Sequence, residues 1–177
     1  MNFEFYNRIA TSSAATENRN SILNFVIENP NSMVDLTTIA FDVKDKNHHK
    51  AVWIIEMIAE INPVLLTPFL DTICEILSEF KNHSAVRGMS RTIYFISTSK
   101  EITLTKTQKE KITETAMDWL IGDARIAPKV FAMRTLSEFS TKHHWIKEAL
   151  TNVLSENYLK QSPGYKAAAK AVLKSIN

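Results

Sequence analysis

The sequence predicts an all-α fold of stacked helical hairpins, on two observations. The 177 residues include only 3 Gly and 5 Pro, too few for the many tight turns of a sheet protein. One helical pattern also returns along the chain. It is clearest in the stretch Lys50 to Ile61, KAVWIIEMIAEI, where Ile54, Ile58 and Ile61 form an apolar stripe at helical spacing.

Three copies of this stripe follow at spacings of 35, 43 and 37 residues. Their positions are all apolar: Met89, Ile93, Ile96, Ala132, Leu136, Phe139, Ala169, Leu173 and Ile176. The second helices also align, with apolar pairs at Ile73 and Leu77, Ala116 and Leu120, and Leu150 and Leu154. One pair of helices cannot bury its apolar faces alone, so the pattern predicts that neighbouring pairs stack into a core.

The predicted elements belong to a single domain, residues 1–177. Residues 1–15 form a short amphipathic helix or a loose arm, repeat units cover 16–43, 47–81, 84–121 and 127–159, and a capping helix covers 163–176. The cap carries a row of lysines, Lys166, Lys170 and Lys174, on the face expected to stay in water.

Local signals set several helix ends. Thr67 before Pro68 predicts the start of a helix that runs to residue 81, because proline is tolerated in a first turn. Thr105 followed by Gln108 predicts a capping box. Gly122 predicts a helix end in the left-handed conformation, which glycine adopts readily.

The first helix of the third unit carries a family resemblance. Val86-Arg87 opens this helix, and a small residue, Ser90, and a large one, Ile93, follow. This arrangement resembles the HEAT-repeat family of helical solenoids. The resemblance implies a right-handed α-α superhelix of about four helical hairpins plus a terminal capping helix. It also implies that the second helices line the concave side.

A closer resemblance covers the run Asp71 to Ile96 and the block Met117 to Arg134. Both are similar to a group of small bacterial HEAT-like proteins, some of which are described as adenylosuccinate lyases. The mobile loop of that lyase is serine-rich and contains a methionine-proline step and a lysine. The chain has no matching segment, so lyase activity is the last of three functional alternatives.

The second helices carry acidic residues in register. Asp71, Glu114 and Glu148 occupy equivalent positions, Glu75 and Asp118 follow one turn later, and Glu110 precedes Glu114 by one turn. An acidic groove would repel phosphates and attract a basic peptide or protein segment. We therefore expect a non-catalytic interaction scaffold. The alternative is that these residues are an ordinary solvated helix face.

Motifs of catalysis are not found. The sequence contains no Gly-rich phosphate loop, no nucleophile elbow and no His-Glu-x-x-His pair, which favours a protein that is not an enzyme and has no cofactor or metal. Cys74 lies on an apolar helix side and is expected to be an inert buried thiol. The pairs His48-His49 and His143-His144 are interpreted as turn residues, because neighbouring side chains on a helix point about 100° apart.

The three tryptophans leave a nucleic-acid alternative open. HEAT-like DNA glycosylases use aromatic residues and an acid on their concave face. Trp53 and Trp119 align with core positions, whereas Trp145 begins a helix and could be exposed. The formal net charge of +2 is not by itself typical of a nucleic-acid-binding protein. No apolar run approaches the roughly 18 residues of a membrane span, so we expect a cytoplasmic protein without membrane contact and leave its oligomeric state open.

Overall fold

The computed structural model of the protein describes residues 2–156 and 158–176. Within these residues the fold is all-α, as predicted, with ten α-helices and no strand. The helices are α1 (Phe3–Thr11), α2 (Thr16–Glu28), α3 (Ser32–Phe41), α4 (His48–Ile61), α5 (Leu70–Ile76), α6 (His83–Thr98), α7 (Lys106–Ile121), α8 (Ile126–Ser140), α9 (His144–Glu156) and α10 (Pro163–Ile176). Short 3-10 helices cover Pro63–Phe69, Leu77–Glu79 and Tyr158–Lys160.

The chain divides into two compact units, Met1–Thr92 and Ile93–Asn177, with the boundary inside α6. In the first unit α4 packs against α2 and α3, and α1 packs against α3 and α4. In the second unit α8 packs against α7, α9 and α10. A single repeat domain with superhelical stacking stays a prediction.

The aligned apolar stripes supply much of the core. All six aligned positions of the second helices are buried, and so are ten of the twelve aligned positions of the first helices. Leu173 is half-buried. Ile61 is 63% exposed, because it is the last residue of α4 and the chain turns away behind it into the first 3-10 helix.

The N-terminal arm is helical, and it is attached to the first unit. Asn2 caps α1, since its side-chain oxygen accepts hydrogen bonds from the backbone N–H groups of Glu4 and Phe5 at 3.0 and 3.2 Å. Phe5 is buried and stacks on Phe25 at 5.6 Å between ring centroids, and the guanidinium of Arg8 lies 4.3 Å from the same ring.

The prediction of one helix from Thr67 to Lys81 is wrong. Pro68 lies inside the first 3-10 helix, and the α-helix begins only at Leu70 and ends at Ile76. Proline lacks the N–H that a continuous α-helix would use beyond its first turn. The capping residue is Asn62, whose side chain accepts from the backbone N–H of Val64 at 3.2 Å.

The sequence also predicted the start of α7 and its end at Gly122. The capping box of α7 is confirmed: the Thr105 hydroxyl accepts from the backbone N–H of Gln108 at 3.2 Å, and the Gln108 side chain accepts from the backbone N–H of Thr105 at 2.9 Å. The predicted left-handed conformation of Gly122 is wrong, because its φ is −81°. Glycine is needed there for space instead, since an added Cβ would lie 2.7 Å from the carbonyl oxygen of Asp118.

Candidate functional site

The exposed face of α7 carries a four-residue row of charges. Lys106, Glu110, Glu114 and Asp118 follow one another at intervals of four residues, so they lie along one side of the helix, and all four are exposed. The opposite side is the buried one and includes Ile112, Ala116, Trp119 and Leu120. The α7 row is therefore held on a firmly packed helix.

The order of charges in the α7 row is unfavourable for the helix itself. A helix favours acids in its first turn and bases in its last turn, whereas α7 has Lys106 at its start and Asp118 near its end. Like charges four residues apart, such as Glu114 and Asp118, also repel by a few tenths of a kcal/mol. Helix stability alone therefore does not account for this pattern.

The other predicted acidic residues are distributed over two helices. Glu148 is exposed on α9, where its carboxylate lies 3.4 Å from Nδ1 of His144. Asp71 and Glu75 are exposed on α5, one turn apart, in the first unit. The structure thus brings Glu110, Glu114 and Asp118 onto one face, with Glu148 on a different helix of the same unit.

A cleft in the second unit lies beside the N-terminal half of the α7 row. This Trp145 cleft has a volume of about 310 Å³ and is lined by Lys106, Lys109, Glu110, Thr113, Phe139, His143, Trp145 and Ile146. Phe139 and Ile146 are buried, whereas Trp145 is 57% exposed, as its position at a helix start suggested. The cleft thus combines apolar residues with an indole accessible to a ligand.

The charge of the Trp145 cleft differs from the acidic prediction. It contains two lysines and a histidine but only one acid, Glu110, which lies 3.8 Å from Nζ of Lys106. An adjoining hollow of about 530 Å³ shares Lys109 and His143 and adds Lys100, Lys142 and one acid, Glu138. The surface at the start of α7 is therefore basic, and the acidic surface begins further along the helix.

The remaining candidate residues are buried or hydrogen-bonded within the fold. Cys74 is buried, and Trp119 is buried in the second unit, as predicted. Trp53 is half-buried and donates from Nε1 to the hydroxyl of Ser84 at 2.7 Å. His48 is the first residue of α4 rather than part of a turn, and its Nδ1 lies 2.6 Å from the carbonyl oxygen of Asp45.

Two further features of the described residues concern the class of site. Among residues 2–156 and 158–176, no three His, Cys, Asp or Glu side chains are grouped in the way that a metal site requires. In the same part of the chain, no helix combines the length and the apolar character needed to cross a membrane.

Comparison of the chain with protein-family models, with curated proteins and with solved structures found no match. The resemblance to HEAT repeats therefore stays a prediction, which depends on the sequence register and on the residues quoted for it.

Sequence reasoning selected the carboxylates but missed the cleft beside them. Lys106, Lys109 and Phe139 were not predicted as site residues, although the four-residue interval between Lys106 and Glu110 can be read from the sequence. Phe139 of α8 and Ile146 of α9 lie beside the start of α7 because the helices pack together. No local sequence pattern indicates such a tertiary contact.

Proposed function

We propose that the protein is a non-catalytic interaction module that binds a basic segment of another protein along α7. The observation that carries the proposal is the line of exposed carboxylates Glu110, Glu114 and Asp118, ordered against the preference of their own helix. A functional surface can keep charges in an order that lowers stability, because function and stability trade off at such sites. Lysine and arginine side chains of a partner would complement this line.

The wider proposal includes the fold family and the other acidic residues. We propose that the helical pairs are HEAT-like repeats of a right-handed superhelix, because the aligned stripes of both helix rows are apolar and largely buried. Glu148 on α9 would add a carboxylate of the same sign within the second unit, and Asp71 and Glu75 on α5 are the corresponding acidic residues that we propose for the first unit. The expected location of such a module is the cytoplasm.

A titration with a short, fluorescein-labelled arginine-rich peptide tests the proposal. The variant Glu114→Lys, Asp118→Lys, Glu148→Lys reverses three exposed charges, and we expect it to bind the peptide at least about tenfold more weakly than wild type. A matched control, Glu101→Lys, Asp123→Lys, Glu156→Lys, makes the same charge change at exposed positions away from the α7 row. Equal weakening of peptide binding in both variants would show that only the net charge of the protein matters, and it would contradict the proposal.

Nucleic-acid binding is the second candidate, and a specific observation favours it. The exposed indole of Trp145 lies in one cleft with Lys106 and Lys109, and stacking on an aromatic residue beside lysines is typical of single-strand binding. Glu110 in the same cleft would supply the acid that a glycosylase requires.

The same charge-reversal variant separates the two candidates. Three new lysines would weaken binding of a basic peptide, whereas they would strengthen binding of a labelled single-stranded oligonucleotide. An oligonucleotide that binds wild type tightly and the variant more tightly would establish the second candidate.

A further inference from the structure

The Trp145 cleft has the properties of an anchor pocket for one large apolar side chain. Its apolar residues Phe139 and Ile146 are buried, and the half-exposed Trp145 stands beside them. A volume of about 310 Å³ lies at the lower end of the range of ligand sites, roughly 300 to 1,000 Å³. It therefore suits one bulky side chain better than a cofactor, and tryptophans in such positions often dominate interface energies.

Lysines outnumber acids around this pocket. Lys106, which is almost fully exposed, and Lys109 line the cleft with one acid, Glu110, and Lys142 lines the adjoining hollow. A partner's carboxylate next to its apolar side chain would face these groups, whereas a second basic residue there would be repelled. The cleft thus discriminates against a uniformly basic segment.

The spacing along α7 fixes the distance between the two kinds of contact. Lys106, which lines the cleft, and Glu114 are eight residues apart on the exposed side of the helix, which corresponds to about 12 Å at a rise of 1.5 Å per residue. An extended peptide covers that distance with about four residues at roughly 3.3 Å each.

We infer that the partner segment is bipolar: a bulky apolar residue beside an acidic one enters the Trp145 cleft, and basic residues about four positions away contact Glu114 and Asp118. The inference rests on the proposed function and narrows its partner to a class of sequence. Charge complementarity at both ends sets the direction in which the segment lies on α7.

Three synthetic peptides test the inference on the full-length protein. The first contains an aspartate-phenylalanine pair separated by four residues of glycine and serine from an arginine pair, and it is made in both chain directions. In the second peptide the phenylalanine is replaced by alanine. In the third the aspartate is replaced by asparagine. In the better chain direction, we expect the first peptide to bind about tenfold more tightly than the second and about threefold more tightly than the third.

Protein variants then assign each preference to its residues. Trp145→Ala should abolish the preference for phenylalanine over alanine, and Lys106→Glu, Lys109→Glu should abolish or reverse the preference for aspartate over asparagine. The control Lys44→Glu, Lys46→Glu changes the same charge at exposed positions of the first unit and should retain both preferences. Circular dichroism checks that each variant is folded.

The outcomes distinguish the inference from the function on which it rests. If all three peptides bind wild type equally, the bipolar partner is wrong while binding of basic segments stands. If none binds while the arginine-rich peptide does, only the bipolar partner is wrong; if the arginine-rich peptide also fails to bind, both proposals are wrong. Displacement of the first peptide by a single-stranded oligonucleotide that itself requires Trp145 would identify the cleft as a nucleic-acid site and overturn the inference.

Discussion

Arg91 of α6 donates a hydrogen bond to Glu56 of α4 at 3.1 Å, and the carboxylate that accepts it is only 2% exposed. Arg87 donates to the other oxygen of Glu56 at 3.0 Å, and Arg91 also contacts Glu60 at 2.5 Å. A buried carboxylate thus joins two consecutive first helices of the repeat pattern. The sequence shows opposite charges at the aligned positions 56 and 91, and the structure makes them a pair.

Substitution of Glu56 should destabilise the first unit. Glu56→Gln keeps the side-chain volume but removes the charge, so both arginines lose their ionic partner. We expect the free energy of unfolding to fall by about 1 to 3 kcal/mol. The loss stays in this range because both arginines are partly exposed and can be hydrated. The control Glu60→Gln removes an exposed carboxylate and should cost less than about 1 kcal/mol. Urea denaturation of both variants checks this; equal losses would contradict the assigned importance of Glu56.

Gly88 permits the close approach of α6 to α4. A Cβ at this position would lie 2.6 Å from Cγ1 of Val52 and 3.3 Å from Oε2 of Glu56. Gly88→Ala should therefore cost about 1 to 3 kcal/mol despite the better helix propensity of alanine. Adding Val52→Ala should relieve the clash, so the double variant should be at least about 0.5 kcal/mol more stable than the sum of the single effects. Thermal or urea unfolding measures this coupling, and strictly additive effects would count against the close contact.

The stability of the protein should fall in mildly acidic solution because of His49. Burial lowers the pKa of His49 below its ordinary value of 6.5, and the charges of His48 and Lys50 lower it further, against a hydrogen bond to the backbone of Lys46. The unfolded chain then binds a proton more readily than the folded chain. The stabilisation that comes from keeping His49 neutral is complete above pH 6.5, and it is lost as the pH falls from there towards the lowered pKa of the folded state.

The variant His49→Gln isolates this effect. It should flatten the dependence of unfolding free energy on pH below pH 6.5. The control His83→Gln makes the same replacement at an exposed position of the first unit, and an equal change in both variants would count against a specific effect of His49. A wild-type pH profile that His49→Gln does not alter would contradict the account.

The sequence predicted the helices and their buried faces better than it predicted the site. The repeat register identified Leu120 and Leu150 as core, and the helix predicted over 163–176 is observed as α10, because these features depend on the spacing of apolar residues along the sequence. It did not predict the 3-10 helix around Pro68. It also did not predict the basic cleft, since Lys109 of α7, Phe139 of α8 and Ile146 of α9 come together only when three helices pack.

Nuclear magnetic resonance of the ¹⁵N-labelled protein, with the bipolar peptide added, tests most directly where a partner binds. The three indole N–H signals serve as local probes. We expect the Trp145 signal and the backbone amides from Glu110 to Asp118 to shift, while the signals of buried Trp119 and of Trp53, bonded to Ser84, stay in place. Shifts confined to α10 or to the first unit, or no shifts at saturating peptide, would contradict the proposal that α7 is the binding surface.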